Sequence, residues 1–539
     1  MRKLIFLITM VLALSSNAQL SRPKLVVGIV VDQMRWDYLY RYNNRYGNDG
    51  FKRMLREGLS CENTFIPYIP SYTAAGHACV YTGSVPALNG MIGNNWYDRQ
   101  QKKVVYCTDD SLVQSVGSSS TAGKMSPRNL WSNTITDELR LATNFSSKII
   151  AIALKDRASI LPGGHMSNAS YWFDNASGGW ITSSFYMTAL PLWVKKFNDR
   201  KLPDEYLKQN WNTLYPISTY INSTADSTRY EGKLPGEDNR FPHITSALTG
   251  SSAYELFRTT PYGNSYTIEM AKAAIEAEEL GKGSSTDFLA LSLSSTDYIG
   301  HTFGPNSIEV EDMYLRLDKD MAAFLKFLDE KVGKGQYLIF LTADHGVAHN
   351  PYFVVDEKIP VGVFDPSVVR RQLNDSLQKN FNVSNIITQY INYQLYLDEN
   401  LISQNRLDKK RITEYIINYL MKQPAVSNAV DLSDLSNTTL QDKLKMFIAN
   451  GYNQKLSGDI QVIVKPQWFE NWQTGTTHGT WNPYDTHIPL LWFGWKIKPG
   501  QLNREVYMTD IAPTLAALLH IQMPNASVGK VIEEVIGKQ

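Results

Sequence analysis

The sequence predicts an α/β fold in which a mostly parallel central sheet is sandwiched by helices. Three observations support this prediction: apolar runs of strand length, helical patterns between them, and polar residues at the ends of the runs. The runs are rich in Val, Ile and Leu without alternation of apolar and polar residues, which is typical of strands buried on both faces. They cover residues 24–32, 148–154, 287–297, 337–346 and 488–495.

Helical patterns separate these runs along the chain. The longest covers about 307–332 and places Leu317, Met321, Phe324 and Leu328 on one face. Strands that alternate with helices in this way are typical of a sheet with helices on both sides.

Two regions depart from this alternation. Residues 180–260 are rich in Trp, Tyr, Pro and Asn and have few strand signals, whereas residues 365–470 combine polar helical segments with a short strand at 459–465. We interpret both regions as insertions in one domain that covers residues 19–539. A separate second domain within 365–470 is the alternative that the sequence leaves open.

Composition and charge exclude several classes of protein. The chain has 539 residues, of which 43% are hydrophobic and 19% are charged, as expected for a globular protein. Lys and Arg total 53 against 52 for Asp and Glu, so no net charge favours nucleic acid or an acidic membrane. We therefore expect neither nucleic-acid-specific binding nor a membrane span, and the sequence leaves the oligomeric state open.

The N-terminus has the pattern of a secretory signal peptide. Arg2 and Lys3 precede an apolar run over 4–14, and Ser16-Asn17-Ala18 offers a small-x-small cleavage site. The apolar run is too short to span a bilayer. We therefore predict a signal peptide at 1–18 and a periplasmic or secreted mature protein.

Cysteine usage excludes a disulfide scaffold. The three cysteines are Cys61, Cys79 and Cys107, so one bridge and one free thiol remain an open alternative. Their spacing contains no C-x-x-C pair, which argues against a structural zinc knuckle.

Polar residues with metal-binding and charged side chains follow the predicted strands. In open α/β sheets, ligands bind just beyond the carboxyl ends of the strands, so these residues are expected to meet at one edge. Each residue alone has an ordinary explanation as a turn former or helix cap, but three aspartates and three histidines together fit two divalent ions, and zinc is the natural occupant. The ligand candidates are Asp32, Asp297, His301, Asp344, His345 and His478.

The stretch PSYTAAGHA at 70–78 reads as a turn that enters a buried helix. A helix N-terminus favours an anion, and a nearby metal ion lowers the pKa of a hydroxyl group. Ser71 and Thr73 are therefore both candidates for a nucleophile, and the residues alone do not choose between them. His77 and Cys79 lie a turn or more into the helix, where we expect them to pack.

Together these motifs resemble the alkaline phosphatase superfamily. They are similar to the phosphate-irrepressible members, which are secreted phosphomonoesterases with a threonine nucleophile. The likeness extends from about residue 24 to the C-terminus, with the motifs in the family's order. It is carried by Asp32, the stretch 70–78, GNNWYD with Asn94, KDRA with Lys155 and Arg157, TDYIGH, TADHG and THG.

The resemblance implies a role for each candidate residue. It implies Thr73 as nucleophile and zinc-dependent release of phosphate through a phosphothreonine intermediate. The implied first zinc site is Asp297, His301 and His478, the second is Asp32, Asp344 and His345 completed by Thr73, and the phosphoryl contacts are Asn94, Lys155 and Arg157.

Two cations beside the phosphoryl group favour a monoester as substrate. A phosphate monoester presents two negative charges and three free oxygens, which Arg157 and Lys155 can contact. The alternatives are a phosphodiesterase or nucleotide pyrophosphatase of the same superfamily and a non-catalytic exported protein that binds metal or phosphate. A sulfatase is excluded because Cys79 is followed by Val-Tyr-Thr and not by the required C-x-P-x-R pattern.

Overall fold

A computed structural model describes residues 21–236, 238–247, 250–470 and 473–537 of the chain. The predicted signal peptide at 1–18 lies outside these described residues. The strands are β1 (Leu25–Val31), β2 (Leu59–Phe65), β3 (Asn95–Asp98), β4 (Lys103–Tyr106), β5 (Ser115–Val116), β6 (Ile149–Ala153), β7 (Ala169–Asp174), β8 (Gly179–Ser183), β9 (Asp287–Leu293), β10 (Tyr337–Thr342), β11 (Val363–Phe364), β12 (Ile387–Ile391), β13 (Gln394–Leu397), β14 (Val426–Asp431), β15 (Ile460–Val464), β16 (Phe469–Glu470), β17 (His487–Ile488), β18 (Leu490–Gly494) and β19 (Gly500–Tyr507).

An 11-stranded sheet forms the centre of the fold, in the order β17-β2-β18-β10-β1-β9-β6-β7-β8-β5 with β19 beside β2. The middle five strands, from β10 to β7, run parallel. The flanks are mostly antiparallel, and β18, predicted as one of the buried strands, runs antiparallel to β10. The predicted α/β class is confirmed, and its parallel part is the centre of the sheet.

Helices pack against this sheet and supply the rest of the main hydrophobic core. Strands β1, β6, β9 and β10 are buried along their whole length, which explains why their sequences do not alternate. The α-helices outside the second insertion are Tyr38–Arg41, Phe51–Glu57, Thr73–Thr82, Pro86–Asn89, Ile135–Ala142, Asp156–Gly163, Leu192–Asp199, Leu202–Leu207, Gly250–Arg258, Tyr262–Ala277, Ser295–Phe303, Ile308–Leu328, Pro351–Asp356, Pro483–Thr486 and Ile511–Leu519.

The longest helix, Ile308–Leu328, begins and ends close to its predicted limits. The Ser307 side chain accepts a hydrogen bond from the Val310 amide at 3.2 Å and caps the N-terminus. The predicted apolar face, which includes Leu317 and Phe324, is buried in the main core.

The region 365–470 carries a second sheet, in the order β12-β13-β15-β14. Leu373, Leu395, Ile412 and Ile416 belong to a hydrophobic cluster of its own, separate from the main core. Its helices are Pro366–Phe381, Glu399–Gln404, Lys409–Leu420 and Asp442–Gly451. The limits of the two insertions, about 180–260 and 365–470, stay predictions from the sequence.

Two further findings concern the state of the cysteines and the length of the helices. Cys61, Cys79 and Cys107 are all buried free thiols. Within the described part of the chain, no helix is long and apolar enough to cross a membrane.

Candidate active site

Three buried aspartates meet at the carboxyl edge of the central strands. Asp32 directly follows β1, Asp344 comes two residues after β10, and Asp297 lies in the first turn of helix Ser295–Phe303, which follows β9. Strand β1 pairs in parallel with both β9 and β10, so the three strand ends are neighbours. The topology therefore brings the predicted aspartates together, as expected for an open α/β sheet.

The three predicted ligand histidines share one orientation. In each, Nδ1 faces a backbone carbonyl oxygen, which can only accept, so Nδ1 carries a proton and Nε2 is the nitrogen that faces the aspartates. A histidine that binds a metal through Nε2 is held by this kind of second hydrogen bond. The pairs are His301 with Thr476 (2.8 Å), His345 with Gly346 (3.0 Å) and His478 with Ser71 (2.7 Å).

The donor atoms form two groups that could each hold a metal ion. Asp32, Asp344 and His345 form one group, which is the predicted ligand set, and their donor atoms lie within 4.8 Å of one another. Asp297 and His478 form the other group together with His345. The remaining predicted ligand, His301, lies beside it, with Nε2 3.1 Å from Asp297 Oδ1.

The chemistry of these groups fits divalent cations. Asp32 Oδ1 and Asp344 Oδ2 are buried without a hydrogen-bond partner among the described residues, whereas Asp32 Oδ2 is paired with Lys155 Nζ at 2.6 Å. Buried carboxylate oxygens without donors cost free energy unless a cation compensates them. Oxygen and imidazole donors together are a set that zinc accepts.

Burial and mutual repulsion shape the protonation of the site. Burial raises the pKa of Asp32 and, with the Asp32 charge beside it, raises that of Asp344 well above its usual range. For Asp297, burial alone would raise the pKa. The neighbouring His301 and Lys155 outweigh burial, so the pKa of Asp297 lies well below its ordinary value. Burial lowers the pKa of His478 to about 3, so the imidazole is uncharged at neutral pH, as a metal ligand must be.

Thr73 lies at the N-terminus of helix Thr73–Thr82, beside the first group of ligands. Its Oγ1 is 3.5 Å from His345 Nε2, whereas the Ser71 hydroxyl donates to the Thr480 carbonyl at 3.2 Å. Small residues let this helix approach Asp344, since a Cβ atom on Gly76 would lie 2.5 Å from the Asp344 carbonyl oxygen. Of the two hydroxyl candidates, only Thr73 faces the ligand cluster.

Asn94 and Arg157 are both placed by the hairpin of β3 and β4. Asn94 immediately precedes β3, and its Oδ1 accepts a hydrogen bond from the Ala74 amide at 2.9 Å. Tyr106 ends β4, directly opposite Asn95, and its hydroxyl lies 2.9 Å from Arg157 Nη1. One hairpin therefore sets both groups next to the helix that begins with Thr73.

Lys155 lies between the two candidate metal-binding groups. Its Nζ is 2.6 Å from Asp32 Oδ2 and 2.6 Å from Asp297 Oδ2. Burial disfavours the charged amine, but the two carboxylates outweigh this and raise the pKa of Lys155. Lys155 is therefore a buried cation with two buried carboxylate partners, which a solvated loop would not provide.

Comparison with known proteins identifies the family of the chain. Residues 26–485 match the family model of type I phosphodiesterase/nucleotide pyrophosphatase. The chain belongs to this family.

Three individual relatives are about 50% identical to this chain over nearly its whole length. The alkaline phosphatase PhoV of Synechococcus elongatus is 52% identical over 96% of this chain and 93% of its own length. The alkaline phosphatase PafA of Elizabethkingia meningoseptica is 49% identical over 96% of this chain and 95% of its own length. A Myroides odoratus protein named calcium-transporting ATPase is 51% identical over 97% of this chain and 96% of its own length.

A solved structure is similar to this chain in both fold and sequence. The crystal structure of wild-type alkaline phosphatase PafA superposes with a TM-score of 0.93 at 48% identity, and the match covers 96% of this chain and 100% of that one. The predicted similarity of this family member to the alkaline phosphatases is thus confirmed in sequence and in fold.

Three supporting residues were not identified from the sequence. Gln33 donates its side-chain amide to Asp297 Oδ1 at 2.7 Å and its backbone amide to Asp344 Oδ1 at 3.1 Å, so it bridges both groups. His77, expected only to pack, bonds the Thr73 carbonyl oxygen at 2.9 Å and the Ser292 hydroxyl at 2.9 Å. The position of Gln33 next to Asp32 was the available signal, whereas nothing local marked Tyr106 as the partner of Arg157.

Proposed function

We propose that the protein hydrolyses phosphate monoesters, with Thr73 as nucleophile and with two zinc ions as cofactors. The proposed ligands are Asp297, His301 and His478 for one ion and Asp32, Asp344 and His345 for the other. The observation that carries the proposal is the Thr73 hydroxyl, which is buried at a helix N-terminus and faces the ligand cluster. Relatives named alkaline phosphatases at about half identity support the same activity.

The reaction proceeds in two displacements. Thr73 Oγ1 forms a bond to phosphorus as the bond from phosphorus to the ester oxygen breaks, and the alcohol leaves with the proton from Thr73. Water then attacks the phosphothreonine, which releases inorganic phosphate and restores the Thr73 hydroxyl. When bound, zinc supplies positive charge that lowers the pKa of hydroxyl groups and stabilises developing negative charge on oxygen.

The chain's own polar groups orient the phosphoryl group for this attack. The Asn94 side-chain NH₂ group offers a donor to its oxygens, and the dipole of helix Thr73–Thr82 favours the anion. Arg157 can hold two oxygens with its planar guanidinium, while Lys155 adds a point charge. Phosphoryl transfer depends mainly on such positioning and charge stabilisation.

The two cations are also the reason to prefer a monoester. A diester carries one negative charge and a second organic group, so it gains less from Lys155 and Arg157 than a doubly charged monoester gains. The family match, which takes its description from phosphodiesterases and pyrophosphatases, favours diester hydrolysis as the second candidate function. Rates with the two substrate classes separate the candidates.

We further propose that the enzyme is exported to the periplasm or the medium. The basis is the signal-peptide pattern at 1–18. Small phosphate esters outside the cytoplasm would then be its substrates.

Trapping of the covalent intermediate tests the proposed nucleophile. We expect acid quenching during turnover of an aryl phosphate to leave a phosphoryl group on the peptide that contains Thr73, detectable by mass spectrometry. Thr73→Ala should abolish both the adduct and turnover while zinc content stays at the wild-type level, and Thr73→Ser should keep the adduct. Turnover that survives in Thr73→Ala would rule out Thr73 as the nucleophile.

A further inference from the structure

A two-residue turn of the second sheet lies beside the segment that carries Asn94. Asn392 and Tyr393 join β12 to β13, and both have a left-handed backbone, with φ of 60° and 58°. Turns of this kind favour Asn or Gly, and a bulky residue such as Tyr is uncommon there. The turn is held from one side by the second sheet, where the Val462 amide donates to the Tyr393 carbonyl oxygen at 2.8 Å.

On its other side, the turn contacts the segment that carries Asn94. Asn392 is 8% exposed, and its side-chain amide donates to the Asn95 carbonyl oxygen at 2.8 Å. The Asn392 amide also packs on the backbone of Gly93, where a Cβ atom would lie 2.6 Å from Nδ2. Asn392 therefore contacts the residues on both sides of Asn94.

The Asn94 side chain connects two elements of the fold. Its Oδ1 reaches the Ala74 amide, one residue after Thr73, while its own backbone belongs to the loop before β3. A shift of that loop would move the Asn94 amide relative to the nucleophile. Displacements of about 1 Å in a catalytic group can reduce rates by roughly 100-fold.

We infer that Asn392 is a positioning residue for the reaction, which holds the 93–95 segment so that Asn94 stays beside Thr73. The inference rests on the proposed function in one respect, namely that Asn94 contacts the phosphoryl group. It also gives the second insertion a role in catalysis through a contact that lies outside the metal centre.

A double-mutant cycle between Asn392 and Asn94 tests the inference. The variant Asn392→Gly removes the amide but suits the left-handed backbone, and Asn392→Asp keeps the size of the side chain while replacing its donor with an oxygen. We expect both to lower kcat/KM for an aryl phosphate by roughly 10- to 100-fold, with zinc content unchanged. In an Asn94→Ala background, the same changes should have almost no further effect, because Asn392 acts through Asn94.

Asn385→Gly is the matched control. Asn385 lies in the same insertion with a similar φ of 59°, but it is exposed, so its replacement should leave kcat/KM unchanged. Equal losses from Asn392→Gly in both backgrounds, or no loss in the wild-type background, would overturn the inference. Wild-type kcat/KM in Asn94→Ala alone would instead overturn the proposed role of Asn94, and the positioning role with it.

Discussion

Arg157 Nη1 lies 2.9 Å from the hydroxyl of Tyr106, which in turn donates to the Asp156 carboxylate at 2.9 Å. Thr108 adds a second hydrogen bond to Asp156 at 2.5 Å. The Arg157 guanidinium is therefore fixed by a short network that starts on the hairpin carrying Asn94. The pKa of Arg157 is raised, since the electrostatic influence of Tyr106 and Asp156 outweighs burial.

Tyr106→Phe should lower monoester turnover by weakening this network. We expect a loss of kcat/KM of roughly 10-fold for an aryl monoester, smaller than the roughly 100-fold loss from Arg157→Ala, because the cation stays but loses its fixed orientation. Diester turnover should fall less in both variants. Parallel rate measurements with the two ester classes check this, and equal losses for both classes would mean that Arg157 only shapes the loop.

Asp344→Asn should lose zinc as well as activity. Removing one charged ligand leaves Asp32 and His345 without their partner, so we expect the loss of one of the two proposed ions and of most turnover. Elemental analysis of the purified variant measures the zinc content. Asp320→Asn, which changes a half-buried aspartate bonded to Ser265 in the helix Ile308–Leu328, is the control and should keep wild-type zinc. Full zinc occupancy in Asp344→Asn would contradict its assignment as a ligand.

The stability of the fold should decrease as pH rises towards alkaline values, in part because of Glu309. Burial raises the pKa of Glu309 to about 8, from an ordinary value of 4.5, and its carboxylate lies 3.2 Å from His243 Nε2. Between these two pH values the folded chain binds the Glu309 proton and the unfolded chain does not. The free energy of unfolding therefore falls as pH rises through this range.

Glu309→Gln isolates this contribution, because the amide cannot ionise. Urea unfolding of the zinc-saturated protein between about pH 6 and pH 9 should give a shallower decrease in the variant than in the wild type. Part of the slope should remain, since burial raises the pKa of Glu231 to about 8 as well. Identical slopes in the two proteins would contradict the prediction.

The sequence predicts the fold class and the grouping of the polar residues because both depend on local patterns. A buried parallel strand shows itself as an apolar run, and Asp32 and Asp344 follow such runs directly. The antiparallel direction of β18 was not predictable, since burial on both faces leaves the same pattern in either direction. The second sheet gave only one clear strand signal, because Gln394 and the partly exposed β12 and β14 interrupt its apolar pattern.

The features of the site that the sequence did not predict depend on contacts between distant segments of the chain. Gln33 and Asp297 are 264 residues apart in sequence, and Asn392 and Asn95 are 297 apart, so no local pattern marks either hydrogen bond. The orientation of His301 and His478 likewise depends on carbonyl groups from distant segments, those of Thr476 and Ser71. Supporting residues of this kind emerge only once the chain is folded.

The most direct test of the proposed activity is steady-state turnover of an aryl phosphate monoester and a bis-aryl phosphate diester at alkaline pH. Each substrate is measured before and after treatment with a chelator, and again after zinc is restored. The proposed two-metal site with Lys155 and Arg157 predicts a preference for the monoester by orders of magnitude, lost with the chelator and recovered with zinc. A preference for the diester, or monoester turnover that persists after complete removal of metal, would contradict it.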